Sequence, residues 1–145
     1  MQYSVIQRTH MGNPVVEILS DGQPWGADRL GPEHFSFGIT KARMIRAALP
    51  VITQFADSLG GSPWPGQTQP FTDFTGAGVV AVDVTKCDDF EGVGGVQVNQ
   101  PYLDLRSGQT SLGLGVRKCQ AILDLWPRID ALLSDNGQKP LSSVL

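Results

Sequence analysis

At 145 residues, 41% hydrophobic and 17% charged, the chain suits one folded domain, or two small halves sharing a core, and its composition excludes disorder. No apolar run approaches the ~20 residues of a membrane span, and "MQYSVIQRTH" lacks the basic-then-apolar pattern of a secretory signal, which predicts a cytoplasmic protein. A formal charge of −3 offers few cations to a phosphate backbone and weighs against nucleic acid.

Residues 2–9 are β-rich, and a Pro-led strand follows at 14–20. A third strand at 34–38 alternates with period two, Phe35 and Phe37 against Ser36. Gly38 then marks the switch into a helix over 40–58, because Gly accepts backbone angles that other residues resist. Ile45, Ala48, Ile52 and Phe55 share one face of that helix, and Pro50 within it predicts a kink. Residues 60–76, "GGSPWPGQTQPFTDFTG", are too rich in Pro and Gly for helix or inner strand and read as a linker. The order then repeats: a β-rich stretch at 78–86, a Pro-led strand at 101–106, and a strand at 111–115 with Leu112 and Leu114 against Gly113. A helix over 117–134 follows, with Ile122, Leu125, Ile129 and Leu132 on one face, adjoining Val116, and Pro127 inside it.

Laid over each other at an offset of 77, "FSFGITKARMI" and "LGLGVRKCQAI" match in apolar rhythm. The identities are Gly38 with Gly115, Lys41 with Lys118, Ile45 with Ile122, Pro50 with Pro127 and Ile52 with Ile129. Upstream, "GNPVVEILS" lies over "NQPYLDLRS" at an offset of 87. The difference falls in loops, "DGQPWGADRLGPEH" against "GQTS", where insertions are tolerated. "SVIQRT" and "AVDVTK" are weakly alike, and the second copy adds the acidic loop "CDDFEGVGG". The chain thus divides into a first repeat (1–59), a linker (60–76), a second repeat (77–134) and a tail (135–145).

The block "SLGLGVRKCQAILDLWPRIDALL", with its partner "FSFGITKARMIRAALPVITQFADSL", resembles the half-unit of the positive-cofactor-four family of single-strand-binding transcription cofactors. In the related Whirly proteins that half-unit is duplicated within one chain. The resemblance implies an α+β fold, two tandem antiparallel β-sheet-plus-kinked-helix modules packed as a pseudo-dimer. It also implies non-catalytic binding of single-stranded DNA or RNA on a sheet platform. The "GNP…FSFG…KA" pattern is similar to short phage and bacterial proteins, which places the expected role in a bacterial or phage-infected cell.

Candidate binding residues follow from that platform. Lys41 and Lys118 sit on the apolar stripe near a helix start, where each stem either snorkels or carries a cation to a phosphate. Arg117 would enlarge that patch, while Arg43 and Arg46 read as a solvated helix face. On the strands, Arg8, Lys86 and Arg106, with Tyr3 and Tyr102, mix charge and stacking as single-strand binders do. Glu17 and Asp104 are expected on the solvent face, where they would repel phosphate. Trp25, Trp64, Phe71 and Phe74 are expected to pin loops to the core, Trp126 to lie in the helix core, and Cys87 and Cys119 to be buried free thiols. His10 and His34 stand at no metal-ligand spacing and beside no nucleophile motif, so no catalytic residue, metal or cofactor is expected. The alternative is a protein-interaction module that uses the acidic loop and the long loop of the first copy. Leftover sheet edges leave both monomer and homo-oligomer open.

Overall fold

Period-two alternation becomes strand and 3.6-residue periodicity becomes helix along this chain. The computed structural model describes residues 2–25, 34–76, 78–88, 90–91, 97–98 and 100–136. In order the elements are β1 (Tyr3–His10), β2 (Asn13–Ser20), β3 (Gln23–Pro24), β4 (Phe35–Phe37), α1 (Ile39–Ala47) and α2 (Leu49–Asp57). Then come β5 (Thr68–Asp73), β6 (Val80–Cys87), β7 (Phe90–Glu91), β8 (Gln97–Val98), β9 (Tyr102–Ser107), β10 (Thr110–Gly115) and α3 (Val116–Asp135). The fold is α+β.

Two antiparallel sheets carry it. In the first, β2 is central: β1 pairs along one edge, and β3 and β4 share the other. Met11 and Gly12, both at positive φ, make the two-residue turn between β1 and β2, the geometry that matches strand twist. The second sheet runs β10-β9-β6-β5. In the first sheet Val16 faces Phe37 and Ile18 faces Phe35; in the second Leu103 faces Leu114 and Leu105 faces Leu112. β7, in the acidic loop, and β8, just beyond it, form a separate short ribbon; most of that loop, like the tail beyond residue 136, lies outside the described residues.

Part of the expected linker is strand. β5 occupies residues 68–73 at an edge of the second sheet, a place where Pro70 deprives no neighbour of a hydrogen bond. The helix expected over 40–58 is two helices, parted at Ala48. Pro50 stands in the first turn of α2, where a missing N–H has no partner to lose. Pro127, by contrast, sits inside a continuous α3.

Two of the helices, α1 and α3, are shared between the sheets. α1 packs on β5, β6 and β9, while α3 packs on β1 and β2 as well as on its own β10, and α2 lies against α3. The core is therefore one cluster, with Ile18, Ile45, Ile52 and Phe55 meeting Leu103, Leu105, Leu114, Ile122 and Ile129. The apolar stripes read from both helices are its centre. No helix among the described residues is long and apolar enough to cross a membrane.

One turn fixes how α2 hands over to the second half. Gly60 has φ +88, and a Cβ there would stand 2.5 Å from Cγ of Pro101 and 3.2 Å from Cγ2 of Val116. Gly60→Ala combines backbone strain with a clash against a ring that has little room to move. It should destabilise the fold by about 2 kcal/mol or more, read as a lower urea midpoint at unchanged slope.

Candidate nucleic-acid interface

Alternation along β2 sends Val16 and Ile18 into the core and Glu17 to the opposite face of the first sheet. Glu17 is nevertheless only 3% exposed, contrary to the expected solvent-facing carboxylate. Neighbours on that face cover it: Arg8 Nη2 ion-pairs with Oε1, and His34 Nδ1 lies 2.6 Å from Oε2. Beyond Arg8 the same face deepens into a shallow cleft that Thr9, His10, Ser36 and Gly38 also line.

The outer face of the second sheet carries a more exposed pair. Asp104, at the position of β9 that matches Glu17 of β2, accepts a 2.8 Å bond from Arg106 Nε. That bond, with the charge of Asp104, raises the pKa of the fully exposed Arg106 guanidinium. Tyr102 stands beside this pair, its phenol raised above its ordinary pKa by a hydrogen bond with Cys87 and then by partial burial. Thr68 and Thr85 join their hydroxyls at 2.8 Å across β5 and β6.

Lys86 does not belong to this surface. Val82, Val84 and Lys86 share the inward side of β6, where the register places Lys86 opposite Leu103. The side chain is 4% exposed and its ammonium lies 3.6 Å from Asp88 Oδ1. The expected exposed position is thus wrong for Lys86, because alternation along β6 turns it to the side of Val82 and Val84.

Tyr3, Arg117 and Lys118 do come together, but at the seam between the halves. Tyr3 stacks on Trp25 at 5.8 Å, Trp25 meets Phe35 edge-on at 5.3 Å, and Phe35 meets Phe37 at 5.7 Å. Arg117 lies over the Trp25 ring at 5.2 Å and Lys118 over Phe35 at 4.9 Å, both from the first turn of α3. Lys41, the counterpart of Lys118, is half-buried in the first turn of α1.

Arg43 and Arg46 overturn the expectation of a solvated face. Both are buried and converge on Asp73 at the end of β5, with Arg43 Nε at 2.8 Å from Oδ2 and Arg46 Nη2 at 2.8 Å from the same oxygen. Arg43 also donates to the carbonyl of Gly78, and Arg46 to that of Thr75. Burial pushes the Asp73 carboxyl up, but hydrogen bonds from Arg46, Thr75 and Arg43 outweigh it and hold the pKa at about 2. No local signal marks the cluster, since Asp73 lies 27 residues from the nearer arginine.

Among the loop aromatics Trp25 is pinned and Phe71 packs on the core, whereas Trp64 (74% exposed) and Phe74 (73% exposed) face solvent. Trp126 is half-buried on α3, its indole N–H enclosed without a partner among the described residues. Cys119 is buried and Cys87 half-buried, both free thiols, and burial raises the Cys119 pKa to about 12. Among the described residues no three His, Cys, Asp or Glu side chains gather as metal ligands would. Comparison with protein-family models, curated proteins and solved structures gave no match.

Proposed function

We propose that the protein binds single-stranded nucleic acid, without catalysis, across the outer faces of its two sheets. The observation that carries this reading is that each face holds an arginine against a carboxylate, Glu17 with Arg8 of the neighbouring β1 and Asp104 with Arg106 of its own β9, the two carboxylates standing at matching strand positions. An arginine already ordered by its neighbour loses less entropy on meeting a phosphate. Tyr102 adds a ring on which a base can stack. In this reading the two halves are copies of one module forming a pseudo-dimer. The equivalent pairings Val16–Phe37 and Leu103–Leu114, and the exchange of helices between sheets, support that.

With so few cations the contact is shallow in charge. Two or three phosphates of a single strand imply that log affinity falls with log salt at a slope of about −1.4 to −2.1. Fluorescence anisotropy of a labelled single strand and its duplex, at low and at physiological salt, checks this. A preference for the single strand, that slope, and weaker binding by Tyr102→Ala and Arg106→Ala are the expected results. No binding by micromolar protein in low salt defeats the reading.

A second reading, a protein-interaction module, draws on the exposed Trp64, Phe74 and Val79 and on how many cations are already paired with carboxylates: Arg8, Arg43, Arg46, Lys86 and Arg106. Trp64→Ala separates the two, since it removes a protein contact and leaves strand binding at Tyr102 intact.

A further inference from the structure

The cleft at the end of β1 and β4 has a volume of about 440 Å³, within the range of small-ligand sites and enough for one nucleotide unit. The polar side chains that share the face of Arg8 are all donor-bearing: its guanidinium, the imidazole of His10 and the hydroxyl of Ser36, with Thr9 completing the rim. Among the described residues no carboxylate lines it, although the whole chain is net acidic. Gly38 closes one side with bare backbone, and Val15 adds an apolar wall.

Glu17 lies behind this lining rather than in it. One of its oxygens is taken by Arg8 and the other by His34, so its charge is compensated within the protein. Arg8 engages it through Nη2 alone among the described residues, which leaves the rest of the planar fork to a ligand. A guanidinium fixed from behind, with the His10 imidazole two residues on and the Ser36 hydroxyl on the same face of the sheet, matches the oxygens of a phosphate.

We infer that the cleft of Arg8, Thr9, His10 and Ser36 is a phosphate subsite that takes one nucleotide unit of a single strand. The inference rests on the strand-binding reading for the source of the phosphate, and its chemistry is shared with a free mononucleotide. It names a register for the strand, whose phosphate docks at the end of the first sheet.

The experiment titrates the full chain with inorganic phosphate, a mononucleotide and a short single strand, following backbone amide shifts by NMR and strand affinity by anisotropy. Shifts at Thr9, His10 and Gly38 with all three ligands are expected. His10→Ala, at an exposed position, should weaken strand binding several-fold. The pair Arg8→Gln with Glu17→Gln, which leaves no buried charge alone, should weaken it about tenfold, as loss of a charge-assisted hydrogen bond implies. Strand binding left unchanged by both variants, with no shift at Gly38, overturns the subsite and spares the strand reading. Phosphate and mononucleotide shifts without strand binding keep the phosphate site and overturn the strand as its source. Silence with all three ligands overturns both.

Discussion

Asp73→Asn should be among the most damaging single changes in the molecule. It removes the negative charge shared by two almost wholly buried arginines and turns one of the two acceptor oxygens into an NH2 donor, with Asp130 at 3.7 Å from Arg46 left as a weak substitute. Breaking a buried ion pair from one side typically costs about 3–5 kcal/mol, because the orphaned charge stays out of water. Against a total stability of roughly 5–15 kcal/mol that is about a fifth or more, and it corresponds to a fall in Tm of roughly 10–15 °C. The cluster joins α1 of the first half to β5 of the second, so its loss loosens the seam. Replacing the set together, Arg43→Met, Arg46→Met and Asp73→Leu, removes the desolvation cost with the charges and should restore much of the loss. A triple variant as unstable as Asp73→Asn would mean that the ion cluster itself holds the seam.

The same carboxylate sets an acid limit. Its folded pKa of about 2 lies below the ordinary 3.8, so its stabilisation is fully present above about pH 4 and is lost as pH falls towards 2. Asp73→Asn should therefore flatten the stability curve between those values, as urea midpoints across that window would show. A wild-type curve already flat there would remove Asp73 from the account.

What was legible in the sequence was local. The helical faces of Ile45, Ile52, Ile122 and Ile129 and the alternation of Phe35 with Phe37 placed the core, because side-chain period follows directly from backbone geometry. Gly38 and Gly115 stand at both strand-to-helix switches, but each keeps extended angles that any residue adopts, so conformational freedom is not what places them there. What was not legible depended on partners far along the chain. Lys86 was read as exposed because charge suggests solvent, yet a one-residue phase in β6 decides the side it takes. Glu17 obeyed the expected phase and was still buried, because Arg8 and His34 close over it. Arg43 and Arg46 could be recognised only once β5 was known to bring Asp73 beneath α1, and a Pro-rich stretch gave no hint of a strand.

Trp25→Ala should rival Asp73→Asn in cost, through packing rather than charge. Trp25 is 4% exposed and sits between Tyr3 and Phe35, so truncation opens a void the size of an indole. Buried Trp→Ala changes cost about 3–5 kcal/mol. Here the ring also carries Arg117 from α3, and losing it removes one of the contacts by which the second half grips the first. Trp25→Phe keeps an aromatic surface beneath the guanidinium and should recover most of the stability. Trp64→Ala serves as the reference, because at 74% exposure it should stay within about 0.5 kcal/mol of wild type. Thermal melts of the three variants decide it. Iodide, which reaches only exposed indoles, should quench wild type strongly and Trp64→Ala much less. A Trp25→Ala variant that melts with wild type would show that this ladder of rings does not hold the halves together, and the seam would then rest on the Asp73 cluster and the core.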